Sequence, residues 1–307
     1  MGADTKIEWA THTFNPWVGC AKISDACRSC YAESWAKRTG QADLWRGERR
    51  RTSVANWRLP LRWNRETPGA RVFCASLADV FEGREDLDPW RDQLHDLIAQ
   101  TPALTWLLLT KRPRHAAKYH GIVELPNVWV GTTVEHQAAA NERIPALLEI
   151  PARVRFLSME PLLGPVDLSR WLGFSDTWDR WVGPCGCEAG RDPWSRCDDC
   201  ADRGWEPPTL RGLQWVIAGG ESGGNARATD PAWAHSLRDQ CVAAGVPFLW
   251  KQWGQWAPHP NQDSPWAGMG RTTTTTPGGI LMVRHADKHA AGRELAGRTW
   301  DEVPRVG

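Results

Sequence analysis

Six short, nearly unbroken apolar stretches rich in β-branched residues punctuate the first 255 residues of this chain. They are Val72–Leu77, Thr105–Thr110, Val128–Val134, Val154–Ser158, Gln214–Ala218 and Val246–Trp250. Most of the intervals between them carry helical periodicity. In the interval from Pro89 to Ala99, Trp90, Leu94, Leu97 and Ile98 fall on one stripe, with Asp86 or Asp88 placed to cap the start. Strands apolar on both faces, alternating with amphipathic helices, predict a parallel sheet covered by helices. A further strand before Cys20 brings the count to about seven β/α units. No glycine-rich dinucleotide fingerprint follows the first strand, so the expected fold is α/β, a complete or partial (β/α) barrel rather than an open doubly wound sheet.

Two segments break the rhythm. Residues 167–211 hold four cysteines among Gly, Pro and Trp and are read as a Cys-rich insertion into a barrel spanning 1–257. Residues 258–279 include five consecutive threonines with several Pro and Gly, the composition of a flexible loop. Residues 280–307 then read as a short strand and a polar C-terminal extension. No apolar run reaches the length of a membrane span, and the N-terminus lacks a signal core. A cytoplasmic protein with no membrane partner is the expectation.

The residues that follow the strands are polar. Asp79 follows the first of the six stretches, Lys111 and Arg112 the second, and Thr132, Thr133 and Glu135 close the third. Ser158 and Glu160, then the turn Gly219–Gly224 with Glu221 inside it, then Lys251 and Gln252 complete the series. Any one of these fits a solvated loop start or a helix cap. Six in register favour a site, because barrels build theirs at the C-terminal ends of their strands. The glycine turn would let backbone approach a ligand closely. Lys251, between aromatic residues, asks for an anion: a bound carboxylate or phosphate, or a salt bridge to Glu221 or Glu160.

Nine cysteines in a reducing compartment point to metal or catalysis before disulfides. Cys74 and Cys241 lie in apolar segments and read as small buried hydrophobes. Cys20-x6-Cys27-x2-Cys30 follows the first strand and precedes a helix through Ala32–Lys37. Three thiolates in one loop can hold three corners of a [4Fe–4S] cluster and leave one iron open. A closed zinc site would need a fourth ligand, with His12 nearest, and a four-Cys cluster would need Cys74 or another distant thiol. Cys185-x-Cys187-x9-Cys197-x2-Cys200 has the paired spacing of a structural zinc knuckle, with an auxiliary iron–sulfur cluster as the other reading. Zinc would also supply folding free energy to an insertion with little core of its own.

Several motifs are specific enough to carry a resemblance. They include Thr5-Lys6-Ile7-Glu8-Trp9, Thr13-Phe14-Asn15-Pro16-Trp17-Val18-Gly19-Cys20 and Cys27–Glu33. Thr110-Lys111-Arg112-Pro113, Gly131–Glu135, Phe156–Pro165, Gly219–Gly223, Phe248–Gly254 and Gly292–Trp300 continue the set almost end to end. On these residues the chain resembles the phage Gp37/Gp68 family, a domain of unknown function also described as a three-Cys-motif protein and related to the radical S-adenosylmethionine (SAM) barrels. Those barrels usually space their cysteines C-x3-C-x2-C, and the loop here is longer by three residues. The resemblance implies a radical SAM/TIM-type barrel with Cys20, Cys27 and Cys30 on a [4Fe–4S] cluster and an electron donor to reduce it. It further implies SAM contacts from Tyr31, Thr132, Thr133, Ser158 and Glu160, and catalytic roles for Lys251 and Glu221. A nucleic-acid base or nucleotide is the substrate it suggests.

The contrasting expectation is a non-catalytic, zinc-containing nucleic-acid-binding protein built on Arg and Trp platforms. The chain has 21 Trp against two Tyr, and about thirty of its 37 basic residues are Arg. Its net charge is only +1, however, which weakens a purely electrostatic binder. A binding module also has no need of polar residues in register at strand ends.

Overall fold

A computed structural model describes residues 5–172, 212–260 and 272–305. Its centre is a seven-stranded, all-parallel sheet. In spatial order the strands are β1 (His12–Thr13), β4 (Arg71–Cys74), β5 (Thr105–Thr110), β6 (Val128–Thr133), β7 (Val154–Met159), β8 (Trp215–Ala218) and β9 (Phe248–Trp250). The two edge strands, β1 and β9, do not pair with each other, so the barrel is partial. Between β1 and β4 the chain forms a small antiparallel pair, β2 (Trp17–Val18) with β3 (Arg50–Arg51). Helices α1 (Tyr31–Arg38), α2 (Val54–Glu66), α3 (Asp88–Ala99), α4 (Pro113–Ala116), α5 (His120–Val123), α6 (Gln137–Leu148) and α7 (Pro231–Ala243) fill the crossovers.

Every residue of β6 and β7 is buried, as expected of strands covered on both faces. Alternate side chains go to two separate cores, because successive strand residues point to opposite faces. Val72, Leu108, Val130, Leu157 and Val216 pack outward under the helices. Phe73, Leu107, Trp129, Phe156, Trp215 and Leu249 point inward and fill the barrel with Trp9. The Trp9 ring lies 4.5 Å from Phe73 and edge-on to Trp215 at 6.5 Å. Gly131 makes room for this layer, since a Cβ there would come within 2.4 Å of the Phe156 ring. Many tryptophans are thus consumed as core volume: Trp9, Trp17, Trp63, Trp106, Trp215 and Trp250 are all fully buried.

The exposed edge of β9 is met by the C-terminal segment, where Leu249 bridges Asp301 and the Trp250 N–H donates to the Trp300 carbonyl. An edge covered in this way offers no free row of backbone donors to another chain. Before it, β10 (Trp256–Pro258), β11 (Thr273–Thr275) and β12 (Leu281–Arg284) form a three-stranded antiparallel sheet. Part of the threonine run read as loop is therefore strand, as its β-branched side chains favour once β12 offers a partner. Helix α8 (Lys288–Ala291) presents Lys288, whose Nζ donates to the Lys6 carbonyl and pairs with Glu8 at 3.0 Å. That pair fastens the N-terminal strap to the C-terminal extension.

The expected α3 forms with Leu94, Leu97 and Ile98 buried, but neither aspartate caps it. Asp86 is taken by Arg84 at 2.6 Å and Asp88 by Arg91 at 2.5 Å, and arginine pairing outcompetes the cap. Cys185, Cys187, Cys197 and Cys200, with the zinc expected on them, lie outside the described residues. Among the described residues no helix is long and apolar enough to cross a membrane.

Candidate functional site

The inward-facing strand ends open into one cavity of about 880 Å³ at the C-terminal end of the sheet. Cys20, Cys27 and Cys30 all line it, and so do Tyr31, Thr133, Ser158, Glu160, Glu221 and Lys251. Thr132 does not. Its neighbour Thr133 points inward, so Thr132 points outward and its hydroxyl donates to the Thr110 carbonyl at 2.9 Å.

The three thiols are free and half-buried. Cys20 belongs to the loop after β2, Cys27 ends a short 3₁₀ turn over Asp25–Cys27, and Cys30 precedes α1. Asp79, after β4, organises the floor beneath them. Its carboxylate accepts from the Thr110 hydroxyl at 2.7 Å, the Lys111 N–H at 3.1 Å and Arg112 at 2.8 Å. Arg112 in turn donates to the Ala21 carbonyl at 2.9 Å and reaches Cys20 Sγ at 3.9 Å. Burial pushes the Cys20 thiol up to about 12, reinforced by the Asp79 and Glu82 carboxylates and opposed by Arg112. Burial also works against ionisation of Cys27, but Lys111 and hydrogen bonds at Ile23 and Ser24 outweigh it and lower that pKa.

On the opposite wall Glu160 is the hub. Trp9 Nε1 donates to its Oε2 at 3.2 Å, the Ser158 hydroxyl donates to the same oxygen at 3.3 Å, and Lys251 Nζ stands 2.8 Å from Oε1. Lys251 therefore has its anion within the protein. Burial disfavours its charge, but the charge and hydrogen bond of Glu160 more than offset that and raise the ammonium pKa. Glu221 is engaged from the other side, by the Arg227 backbone N–H and Nε at 2.8 Å and by Nη2 at 2.6 Å. Arg227 Nη2 also donates to the Asp25 carbonyl at 3.1 Å, so this pair reaches across to the cysteine loop. Tyr31 spans the gap differently, its hydroxyl donating to the Ser76 carbonyl at 2.6 Å.

The glycine turn has a reason of its own. A Cβ at Gly220 would stand 2.0 Å from the Trp253 carbonyl oxygen, and Gly254 takes φ +85° with the Glu221 carbonyl equally close. Two backbones pass here with no room for a side chain, which holds the loops after β8 and β9 together. Gly223 and Gly224 face open space.

Glu82 and its partner Arg49 were not singled out from the sequence, and the partners of Lys111 and Glu135 were not foreseen there. Glu82 accepts the Ala21 N–H at 3.1 Å and is itself clasped by Arg49 at 2.6 Å, both side chains buried. Lys111 Nζ donates to the Thr133 hydroxyl at 3.3 Å within the cavity. Glu135 pairs with Arg143 at 2.8 Å behind the cavity wall. Burial opposes the Glu135 charge, but Arg143, Ser24 and Lys111 more than compensate and lower its pKa. A depressed carboxylate pKa contributes stability that is present above the unfolded value of about 4.3 and lost as pH falls through the folded one. Glu135→Gln should thus destabilise the protein at neutral pH, with the gap to wild type closing as pH falls below about 4. Urea titrations at several pH values read this directly; a gap that persists undiminished in acid would contradict it.

The donor set suits an iron–sulfur cluster: three free cysteines on one cavity, with nearby cations to balance anionic sulfur. Among the described residues no three His, Cys, Asp or Glu groups are already gathered closely enough to hold a metal ion, so the loop would have to draw its thiols together on loading. The alternatives fare less well. Cys74 packs into the outer core, and His12 is buried, stacked on Trp63 at 4.3 Å with Nε2 3.0 Å from the Thr67 hydroxyl.

The chain belongs to the family described as Protein of unknown function (DUF5131), which matches residues 4–304. No curated protein matches it. Among solved structures it is similar to a spore photoproduct lyase double mutant with bound AdoMet and dinucleoside spore photoproduct, at 12% identity and TM-score 0.44. It is also similar to a single mutant of spore photoproduct lyase, at 14% identity and TM-score 0.42, and to the lyase complexed with the dinucleoside, at 12% and 0.43. Each similarity covers 94% of this chain and 72% of the other. At these values the reaction has to be argued from the residues.

Proposed function

We propose that this member of the family is a radical SAM-type enzyme acting on a nucleic-acid base or nucleotide, and that it is related to the phage Gp37/Gp68 proteins. One observation carries the reading: three free thiols share a cavity with Thr133, Ser158, Glu160 and Lys251 at the C-terminal ends of the parallel strands. Cys20, Cys27 and Cys30 would hold a [4Fe–4S] cluster, leaving one iron to SAM. When bound and reduced by an electron donor, the pair supplies a 5′-deoxyadenosyl radical able to take hydrogen from a substrate.

The chain's own residues bind and orient. Arg112 and Glu82 pin Ala21, which fixes the start of the cysteine loop, and Arg227 pins Asp25 in its middle. Ser158 and Trp9 both donate to Glu160 Oε2, while Oε1 faces Lys251. The hub thus combines a carboxylate that can accept from an ammonium or ribose hydroxyl with an ammonium that can donate to a carboxylate. The aromatic layer around Trp9 fills the barrel beneath the site. A structural zinc on Cys185, Cys187, Cys197 and Cys200 and a cytoplasmic setting belong to the same proposal.

Glu160→Ala should weaken SAM binding and leave iron content unchanged. A lost charge-assisted hydrogen bond is worth roughly 1.5–3 kcal/mol, or about ten- to a hundredfold in affinity. SAM titration of anaerobically reconstituted protein, beside iron and sulfide analysis, tests this. Unchanged affinity would remove Glu160 from the SAM site. Zinc in place of iron at the first cysteine group would turn the reading towards a non-catalytic nucleic-acid-binding protein.

A further inference from the structure

The chain's charge is nearly balanced overall, yet it is unevenly placed. Residues 20–65 hold eleven Lys and Arg against four Asp and Glu, a net +7 in a chain whose total is +1. This segment is the cysteine loop, α1, the α1–β3 connection, β3 and α2, and its part up to Trp45 lines the cavity. Arg49 is consumed by Glu82 inside the protein. Of the four carboxylates, Glu33 is held by Lys22 at 2.6 Å and Lys37 at 3.3 Å, Asp25 faces His136 at 3.8 Å, and Asp43 and Glu48 are exposed.

Arg38, Arg46 and Arg50 remain exposed. They are linked through one stretch of surface. Arg38 ends α1 and lines the cavity mouth. Gln41 Nε2 donates to the adjacent Thr39 hydroxyl at 3.0 Å, and the Gln41 side-chain oxygen accepts from Arg50. Arg46 closes the intervening turn, and Arg51 continues the row, stacked 4.2 Å over Trp57. Beside the start of this row, at the mouth, Tyr31 is 56% exposed, while Trp35 and Trp45 reach the cavity wall only from the small core cluster around Val18 and Leu77.

From this arrangement we infer that the α1–β3 face is a track for the phosphate backbone of a single-stranded nucleic acid, leading one unstacked base past Tyr31 into the cavity. The inference rests on the reading of the cavity as a site for a base or nucleotide. Arginine guanidinium groups match phosphate oxygens in a planar fork. Aromatic side chains beside a basic groove stack bases without regard to sequence. An acidic polypeptide would use the charges but leave the exposed Tyr31 ring at the mouth without a role. A duplex would first have to flip the base out of its stack, a cost that a single strand does not carry.

The test is fluorescence anisotropy with a labelled oligothymidylate, using the full chain without reconstitution. The triple variant Arg38→Glu, Arg46→Glu, Arg50→Glu is compared with a control of equal charge change elsewhere, Arg114→Glu, Lys118→Glu, Arg170→Glu, all three exposed. At about 0.7 released counterions per phosphate, three lost contacts should lower the salt slope by about 2 and the affinity at about 0.1 M salt by about a hundredfold. The control should change little. Should the charge reversals disturb folding, as judged by circular dichroism, the corresponding Arg→Gln triple reads the same slope. Equal losses in both triples would overturn the track, as would no loss, no oligothymidylate binding by wild type, or equal binding of polyglutamate. Iron analysis and SAM titration of an anaerobically reconstituted aliquot of the same protein separate the outcomes: a cluster and SAM binding without nucleic-acid binding would sink the track alone.

Discussion

Replacing Cys20, Cys27 or Cys30 with Ala is expected to abolish iron and sulfide incorporation while leaving the protein folded. Three thiolates are the fewest that can hold the cluster in the proposed form, so each deletion should be all-or-none for the cluster. The fold should tolerate it. Cys20 and Cys30 only pack against the edge of a small satellite cluster around Val18, Trp45 and Leu77, apart from both cores of the seven-stranded sheet. Removing a half-buried thiol to leave the alanine methyl should cost about 1 kcal/mol or less. Iron and sulfide analysis with thermal melts of each variant settles the matter. Loss of folding on loss of any one thiol would indicate a structural metal instead, and retained iron would remove that cysteine from the ligand set.

Arg49→Met is expected to be among the most destabilising single changes in the site. Arg49 and Glu82 side chains are 3% and 5% exposed, and the guanidinium makes two contacts to the carboxylate at 2.9 and 2.6 Å. Its Nη1 also satisfies the Leu44 and Gly47 carbonyls at 2.8 Å. Removing the cation strands a buried carboxylate, which typically costs about 3–5 kcal/mol. The cost should be felt at the cysteine loop as well, because Glu82 holds the Ala21 N–H. The double variant Arg49→Met, Glu82→Leu should recover much of the loss, since no buried charge is then left unpaired. Chemical denaturation of the single and double variants gives the comparison. A single variant within about 0.5 kcal/mol of wild type would mean that the pair is solvated.

The sheet was legible because its signal is local. Runs such as Val128–Thr133 and Val154–Met159 are apolar throughout, and only a strand buried on both faces needs that. The three-cysteine loop was legible for the same reason, its thiols lying within eleven residues. The site's wiring was not. Ala21 to Glu82, Arg112 to Ala21, Trp9 to Glu160 and Arg227 to Asp25 are 61 to 202 residues apart, and no periodicity or spacing connects them. Trp9 is the clearest case: a residue in an N-terminal motif turns out to plug the barrel and to orient the carboxylate hub. Thr132 shows the limit of reading strand ends by sequence alone. Which of two adjacent threonines faces the cavity depends on register, and register is fixed by strand pairing such as Thr133 with Ser158. The α3 caps failed for a related reason, since Arg84 and Arg91 claimed both aspartates.

A cluster-and-SAM site in the cavity at the strand ends should leave a chemical product. Wild-type protein is reconstituted anaerobically with iron and sulfide, reduced in the presence of SAM, and assayed for 5′-deoxyadenosine. Wild type should yield that product, Cys27→Ala none, and Glu160→Ala a reduced amount at limiting SAM. An intact cluster in wild-type protein that neither binds SAM nor yields 5′-deoxyadenosine would contradict it.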